Sequence, residues 1–250
     1  MILEIDYGNT RLKWRLLDAK SLGCISRGAV IDLQELLPSL QMAGCLEVEF
    51  CRACSVRTVK ENEQMSSLIQ NNYGVEIEYA QSLEYTAGVT NGYLQAKKLG
   101  VDRWLAIVAA YTKVKHACVV IDCGTAITVD FISADGSHMG GCIAPGFKML
   151  STMLWRGTQL PVEADVTVYD DKMLLGNNTQ AAVIAGVGAM FRGFIGEQLE
   201  LAQVALGSSF SVLCTGGDSA LVNSVTDAAV LEEDLVFVGL AIVCPYAAKE

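Results

Sequence analysis

The sequence predicts an α/β protein made of two similar halves, each with the element order β-β-β-α-β-α. Hydrophobic residues make up 52% of the 250 positions, which is enough for a sizeable buried core. Apolar and polar residues alternate on both sides of Gly8-Asn9, and this alternation predicts a β-hairpin at the start of the chain. The same pattern returns near Cys118, so the chain reads as one folding unit repeated.

The first half continues from the hairpin with a third strand, two helices and two further strands. Asp32 is placed to cap a helix whose leucines, at positions 33, 36, 37 and 40, share one face. A second helix is predicted over residues 59–71. The remaining strands are predicted at residues 24–30, 48–54 and 74–80.

The second half follows a helix predicted over residues 102–115. Turn signals at Gly124 and Asp135-Gly136 separate three strands, predicted at residues 118–123, 127–133 and 138–143. A fourth strand is predicted at residues 210–214. The helices of this half are predicted at residues 146–155, 179–206, 218–224 and 234–247.

A short internal match marks the repeat. Residues 5–10 read Ile-Asp-Tyr-Gly-Asn-Thr and residues 121–126 read Ile-Asp-Cys-Gly-Thr-Ala, each between two predicted strands. Matches at corresponding places indicate an ancestral duplication. Because the sequence has no low-complexity or proline-rich linker, we expect the halves 1–114 and 115–250 to meet directly across a cleft.

Charge and cysteine content restrict the class of partner. A formal net charge of −10 and a pI near 4.7 disfavour nucleic acid and anionic membranes, which bind basic surfaces. Nine cysteines, an odd number, mostly within apolar runs, fit the reduced thiols of a cytoplasmic protein. No basic leader is visible, and the apolar run at residues 235–248 is shorter than the roughly 18 residues of a membrane span.

The two Asp-x-Gly turns have the chemistry of a phosphate site. A glycine after a strand lets backbone N–H groups approach an anion, and Asn9, Thr10 and Thr125 add side-chain donors. The carboxylates of Asp6 and Asp122 would repel phosphate oxygens unless a cation lay between them, which implies magnesium. A single Asp-Gly turn is more often an ordinary hairpin turn, so the interpretation depends on there being two.

Asp102 and Arg103 supply groups that phosphoryl transfer to an alcohol needs. They lie at the start of a predicted helix, where exposed N–H groups favour an anion. A carboxylate there can take the proton of an attacking hydroxyl, and Arg103 can pair with a substrate carboxylate. Lys13 is placed to neutralise a terminal phosphate. The local sequence also allows a structural reading, with Asp102 as a helix cap and Arg103 in solvent.

Five ordered motifs resemble those of the type III pantothenate kinases, within the actin, Hsp70 and sugar-kinase superfamily. They are DYGNTRLK at residues 6–13, GVDR at 100–103, DCGTA at 122–126, GGCIAPG at 140–146 and TGGD at 215–218. The resemblance covers nearly the full chain, with Ala96 where the family often has proline. It implies two duplicated actin-like (ribonuclease H-like) halves, each a mixed β-sheet flanked by helices, with a cleft between.

The resemblance also implies roles for single residues. The residues it assigns to ATP are Asp6, Tyr7, Gly8, Asn9, Thr10, Arg11, Leu12, Lys13 and Thr125. Those it assigns to pantothenate are Tyr93, Gly100, Val101, Asp102, Arg103 and Thr179, with Asp102 as the catalytic base. The expected cations are Mg2+ beside Asp6, directly or through water, and K+ or NH4+ at Asp122. Tyr93 and Thr179 also have structural readings, as a packing aromatic and a helix cap.

The sequence therefore predicts ATP-dependent phosphorylation of pantothenate to 4'-phosphopantothenate, the first step of coenzyme A biosynthesis. The resemblance implies a homodimer with the substrate pocket near the interface. A kinase of another small hydroxy acid stays open, because Asp102 and Arg103 would keep their roles. So does a regulatory ATP-binding protein of the transcription accessory type, although such a protein does not need a proton acceptor at Asp102.

Other candidate sites carry less weight. Cys51 and Cys54 form a Cys-x-x-Cys pattern inside a predicted strand with no second pair, so we interpret them as core residues. His116 and His138 flank predicted strands, which disfavours a histidine-activated nucleophile. The sequence has neither a P-loop motif nor a dinucleotide-binding glycine motif.

Overall fold

Packing divides the chain into two units in the computed structural model, which describes residues 1–158 and 174–247. Unit 1 comprises Met1–Ala109 together with Asp234–Glu250, and unit 2 comprises Ala110–Glu233. This division differs from the predicted halves 1–114 and 115–250 at both ends of the second half. The C-terminal segment belongs to unit 1 because its helix packs on the first sheet.

Unit 1 is built on a mixed sheet of five strands. They are β1 (Ile2–Tyr7), β2 (Leu12–Leu17), β3 (Cys24–Val30), β4 (Phe50–Ser55) and β5 (Ile77–Tyr79). Their order is β3-β2-β1-β4-β5, and β1 pairs antiparallel with β2 and parallel with β4. A separate small hairpin joins β6 (Tyr85–Thr86) to β7 (Val89–Thr90).

Unit 2 repeats the arrangement. Its strands are β8 (Cys118–Cys123), β9 (Ala126–Ile132), β10 (His138–Pro145), β11 (Ser211–Thr215) and β12 (Ala229–Leu231). Their order is β10-β9-β8-β11-β12, with β8 antiparallel to β9 and parallel to β11. The central strands β1 and β8 therefore have the same neighbours in the same directions, which confirms the predicted duplicated α/β fold.

The helices, numbered along the chain, lie between and after these strands. They are α1 (Leu36–Met42), α2 (Val59–Tyr73), α3 (Val101–Val114), α4 (Phe147–Gly157), α5 (Thr179–Leu206) and α6 (Leu235–Val243). The start of α2 is a capping box, in which Thr58 and Glu61 satisfy each other's backbone N–H groups. Gly74 ends the same helix in the left-handed conformation, with φ of 70°.

Several boundaries differ from the sequence predictions. The segment predicted as a helix at 218–224 is a 3-10 helix, Ser219–Ser224, and α6 ends at Val243 rather than at residue 247. Strands β6, β7 and β12 were not predicted. Each has two or three residues, too few for an alternating pattern to be read.

The apolar residues form a separate core in each unit. In unit 1, β1, β2 and β4 pack against α1 and α2 around fully buried side chains that include Leu3, Leu36 and Met65. In unit 2, β8 and β9 pack against α5 around Ile121, Val129 and others. Helix α5 is long and apolar enough to cross a membrane by length and composition, but 44% of its most apolar window is buried inside the protein.

A buried ion cluster joins the sheet of unit 1 to α6. Glu4 on β1 is 0% exposed and lies between Arg15 of β2 and Arg52 of β4 in the strand register. Arg52 donates through Nε to Glu4 Oε1 (2.8 Å) and through Nη1 to the Cys244 carbonyl (2.7 Å). Arg15 is paired with Glu4 and also reaches Asp234, just before α6 (3.2 Å).

We expect Arg52→Met to lower the free energy of unfolding by about 3–5 kcal/mol, because it leaves the buried Glu4 charge with only one arginine partner. Urea unfolding measures the change. Arg27→Met is the control, since Arg27 is 52% exposed and pairs with Asp234 at the edge of the same cluster; its loss should stay below about 1 kcal/mol. Equal effects of the two substitutions would contradict this description of the cluster.

Candidate active site

The first Asp-x-Gly turn joins β1 to β2. The Gly8 N–H donates to the Arg11 carbonyl (3.1 Å), which closes the turn and leaves Asn9 and Thr10 exposed. Arg57 braces the turn from the side, donating to the Asn9 carbonyl at 3.0 Å. This brace was missed in the sequence, because only the folded chain brings position 57 to position 9.

Asp6 ends the central strand beside two polar neighbours given by the register. It lies opposite Lys13 on β2 and Cys54 on β4, and Lys13 Nζ is 3.9 Å from Asp6 Oδ2. Burial raises the pKa of the Asp6 carboxyl to about 6, an effect that the Lys13 charge and a hydrogen bond with Cys54 oppose. The Asp102 carboxylate raises the pKa of Asp6 as well, so two carboxylates act on each other here.

Asp102 lies in the first turn of α3. Its Oδ1 accepts from the Arg103 backbone N–H (2.8 Å), so it is held at the start of the helix. Gly100 makes room for it, since a Cβ at that position would lie 2.7 Å from Asp102 Oδ1.

Arg103 is buried, not in solvent as the structural reading allowed. It is 6% exposed, and its Nη1 donates to the Tyr93 hydroxyl (2.8 Å). The guanidinium also lies over the Tyr93 ring, 5.6 Å from the centroid. The structure therefore brings these two predicted substrate residues together as a pair.

The loop that carries Tyr93 is fixed without the proline that the family often has at position 96. Asn91 donates to the carbonyls of Leu83 (3.1 Å) and Ala96 (3.3 Å) and accepts from the Tyr93 N–H (3.0 Å). Side-chain hydrogen bonds thus hold this loop in place.

A cavity of about 450 Å³ opens beside this loop, within unit 1. It lies at the carboxyl ends of β4 and β5 and reaches the first residues of α3. Its lining residues are Ser55, Val56, Ala80, Gln81, Ser82, Lys97, Lys98, Leu99, Gly100 and Val101. A small polar molecule in this cavity would contact two predicted substrate residues, Gly100 and Val101.

The second Asp-x-Gly turn, in unit 2, is enclosed by glycines. The Gly146 N–H donates to the Thr125 carbonyl (3.0 Å), and a Cβ on Gly146 would lie 2.4 Å from the Gly124 carbonyl oxygen. Gly216 has φ of +92°, and a Cβ there would lie 2.5 Å from Asp122 Oδ1. The GGCIAPG and TGGD motifs therefore pack their glycines directly against this turn.

Three further residues of unit 2 bear on the predicted site, namely Asp218, Lys148 and Thr179. The Asp218 N–H donates to the Cys123 carbonyl (3.0 Å), and burial raises the pKa of the Asp218 carboxyl while Lys148 lowers it. Lys148 was not singled out in the sequence. Thr179 is the exposed first residue of α5, whose N-cap is the neighbouring Asn178, so the helix-cap reading of Thr179 is wrong.

The residues around Asp6 fit a magnesium ion held by one or two carboxylates together with water and phosphate oxygens. They do not fit a metal site made of protein ligands alone. Among residues 1–158 and 174–247, no three His, Cys, Asp or Glu side chains cluster as metal ligands would. The repulsion between Asp6 and Asp102 would be relieved by a cation, and Mg2+ commonly takes one or two carboxylates with water and phosphate oxygens. In the second turn, Asp122 offers a carboxylate beside backbone carbonyls, the oxygen donors that a monovalent cation takes.

Solved structures that include kinases share this duplicated α/β fold. Acetate kinase of Porphyromonas gingivalis superposes with a TM-score of 0.55 over 96% of this chain and 98% of its own, at 10% identity. A Campylobacter jejuni protein assigned to the Baf family of transcriptional activators gives 0.62 over 96% of each chain, at 20% identity. At such identities the likeness concerns the fold alone.

Sequence comparison identifies the family. The family model for type III pantothenate kinase matches residues 2–200. Proteins named Type III pantothenate kinase from Azotobacter vinelandii and Pseudomonas fluorescens are 41% and 40% identical, each alignment covering 98% of this chain and 99% of the relative. The chain belongs to the type III pantothenate kinase family.

In metal-free buffer, we expect Asp6→Asn to raise the free energy of unfolding at pH 8 by about 1–3 kcal/mol. The folded-state pKa, about 6, lies above the ordinary value of 3.8, so stability present below pH 4 is lost as pH rises through 6. The gain should vanish only well below the ordinary pKa of 3.8, where the wild-type carboxyl is neutral in both states. Urea unfolding at about pH 2.5 and at pH 8 measures it.

Asp18→Asn provides a control of opposite sign. Hydrogen bonds from Ser21 lower the pKa of Asp18, so this substitution should destabilise the protein above pH 4. If Asp6→Asn instead lowered stability at pH 8, the assigned cost of burying the Asp6 charge would be wrong.

Proposed function

We propose that this chain transfers the terminal phosphoryl group of ATP to the primary hydroxyl of pantothenate, giving 4'-phosphopantothenate for coenzyme A synthesis. The observation that carries the proposal is that Asp6 and Asp102, both in unit 1, are close enough for the charge of Asp102 to raise the pKa of Asp6. Asp6 precedes the turn proposed to bind phosphate, and Asp102 lies in the first turn of α3, so the charge interaction joins these two elements. Membership of the family and the names of relatives identical at about 40% over nearly the full chain supply the substrate.

The phosphate-binding role falls to the two turns. The side chains of Asn9 and Thr10, at the tip of the first turn, are exposed to solvent, where an anion could approach them. Tyr7, Gly8, Arg11 and Leu12 form the turn and its flanks. Lys13 offsets phosphate charge beside Asp6, and Thr125 provides the corresponding contact in the second turn.

Asp102 is the proposed base. The hydroxyl of pantothenate gives its proton to the Asp102 carboxylate as its oxygen attacks the terminal phosphorus, and ADP leaves with the bonding electrons. Arg103 pairs with the substrate carboxylate by a planar, charge-assisted contact, and Tyr93 fixes the guanidinium. Thr179 and the backbone of Gly100 and Val101 are proposed as further substrate contacts.

Two cations complete the proposal. Asp6 would hold Mg2+, directly or through water, and that ion would neutralise phosphate charge during transfer. Asp122 would hold K+ or NH4+ beside the second turn. Since burial makes an uncompensated Asp6 charge costly, a cation there also offsets the raised pKa.

A homodimer in the cytoplasm fits the surface and thiol content. Helices α4 and α5 expose apolar side chains, namely Met149, Met153, Leu154, Met190, Leu201 and Val204. All nine cysteines are free thiols. We propose that these helices contribute to the dimer interface and that the substrate pocket lies near it.

We expect Asp102→Asn to reduce kcat by about 10²–10⁴-fold, because the amide cannot accept the proton. A coupled ADP-release assay with ATP, Mg2+, K+ and pantothenate measures it. The KM for ATP and the urea midpoint should change little, which separates a lost base from a lost fold. Full activity in Asp102→Asn would show that Asp102 is not the base. ADP release that does not depend on pantothenate would show that pantothenate is not the substrate.

We expect Asp122→Asn to abolish the activation by K+ over Na+ and to lower kcat in K+ by roughly tenfold or more. The control is Asp227→Asn, which removes an exposed charge from the same unit. The same assay run in KCl and in NaCl provides the comparison. Unchanged potassium activation in Asp122→Asn would place the monovalent cation elsewhere.

A further inference from the structure

Gly239, in the middle of α6, touches the backbone of the catalytic helix. A Cβ on Gly239 would lie 2.0 Å from the Leu105 carbonyl oxygen and 2.5 Å from its carbonyl carbon. Gly239 is buried, and it belongs to unit 1 together with Asp102 and Leu105. The absence of a side chain at this position therefore sets how closely α6 and α3 approach.

Leu105 is three residues after Asp102 on α3, so the two lie on one face of the helix one turn apart. The helix is buried continuously from Trp104 to Ala110. A close-packed helix moves as a unit, so a displacement at Leu105 is passed to Asp102. The contact at Gly239 thus determines where the carboxylate of Asp102 lies.

Helix α6 is itself anchored at both ends by the ion cluster. Arg15 and Arg27 reach Asp234 at its start (3.2 and 3.1 Å), and Arg52 donates to the Cys244 carbonyl after its end (2.7 Å). Arg15 and Arg52 are both paired with Glu4, which is fully buried. A helix held at both ends cannot slide to relieve pressure at its middle.

Glu4 and Asp6 are two residues apart on β1, so both side chains project from the same face of the sheet. Glu4 holds the arginine that contacts the end of α6, and α6 contacts α3 through Gly239. Helix α3 in turn holds Asp102 where its charge acts on Asp6. We infer that Gly239 is a positioning residue for the phosphoryl-transfer reaction, acting through α3 on the catalytic base. This inference rests on the proposed function.

The test is Gly239→Ala. A methyl group there must push the Leu105 backbone away by roughly 1 Å or more, and a misplacement of 1 Å at a reacting group costs about 10²-fold. We expect kcat for pantothenate phosphorylation to fall by about 10–100-fold while the KM for ATP stays within about twofold. The three atoms nearest to a Cβ on Gly239 all belong to Leu105 of α3, not to the proposed ATP-binding turn between β1 and β2, which is why the two parameters should separate.

Gly196→Ala is the matched control, because Gly196 also lies within a helix, off the face of α5 that carries Met190 and Leu201, and nothing lies within 4 Å of a Cβ built there. It should leave kcat unchanged. Hydrogen exchange of the first turn of α3 gives a readout that does not need turnover, and exchange there should speed up in Gly239→Ala only. Hydrogen exchange tests the role of Gly239 even without turnover. The proposed function is tested separately, and it is wrong if the wild-type protein does not phosphorylate pantothenate.

Unchanged kcat in folded Gly239→Ala would overturn the inference. So would a loss of kcat that merely tracks the folded fraction and raises the KM for ATP in parallel. If Gly239→Ala does not fold, Asp234→Asn tests the same link, since it weakens the anchoring of α6 while keeping Gly239. We then expect kcat to fall by about 3–10-fold with the KM for ATP unchanged, and wild-type kcat would overturn the inference.

Discussion

A partly buried carboxylate at the end of a central strand is the constraint on which both units depend. Asp6 is the second-last residue of β1, with its side chain 13% exposed, and Asp122 occupies the equivalent place on β8. Burying such a group is costly unless a partner offsets its charge. Lys13 and Cys54 do so only in part for Asp6, and the neighbouring Asp102 adds repulsion. The cation and phosphates that we propose for this turn would offset that cost.

Two rows of cross-strand neighbours lie on the same face of β1: a buried row around Glu4 and the row around Asp6, for which we propose a function. Glu4, with Arg15 and Arg52, fixes the C-terminal helix; one pleat further on, Asp6 lies beside Lys13 and Cys54. The first row is sealed from solvent and the second is partly open. The arginines of the buried row tie the first sheet to both ends of α6, and this places the last helix in the first unit.

The repeated hairpins and the long helix α5 could be predicted from sequence because alternation and helical periodicity are local signals. The membership of α6 in unit 1 could not, since it depends on a contact between Arg52 and Cys244, 192 positions apart. Cys54 was interpreted as a core residue from its Cys-x-x-Cys pattern, and only the register of β4 against β1 places it beside Asp6. Gly239 carried no signal at all, because its role depends on what a Cβ would meet.

The central claim is that this site moves a phosphoryl group from ATP to one hydroxyl of pantothenate. Phosphorus NMR of the reaction mixture, with mass spectrometry of the product, tests it most directly. The account predicts equal amounts of ADP and 4'-phosphopantothenate, with no net formation of inorganic phosphate. ADP accompanied by inorganic phosphate and unmodified pantothenate would contradict it, and would favour an ATP-hydrolysing regulatory protein instead.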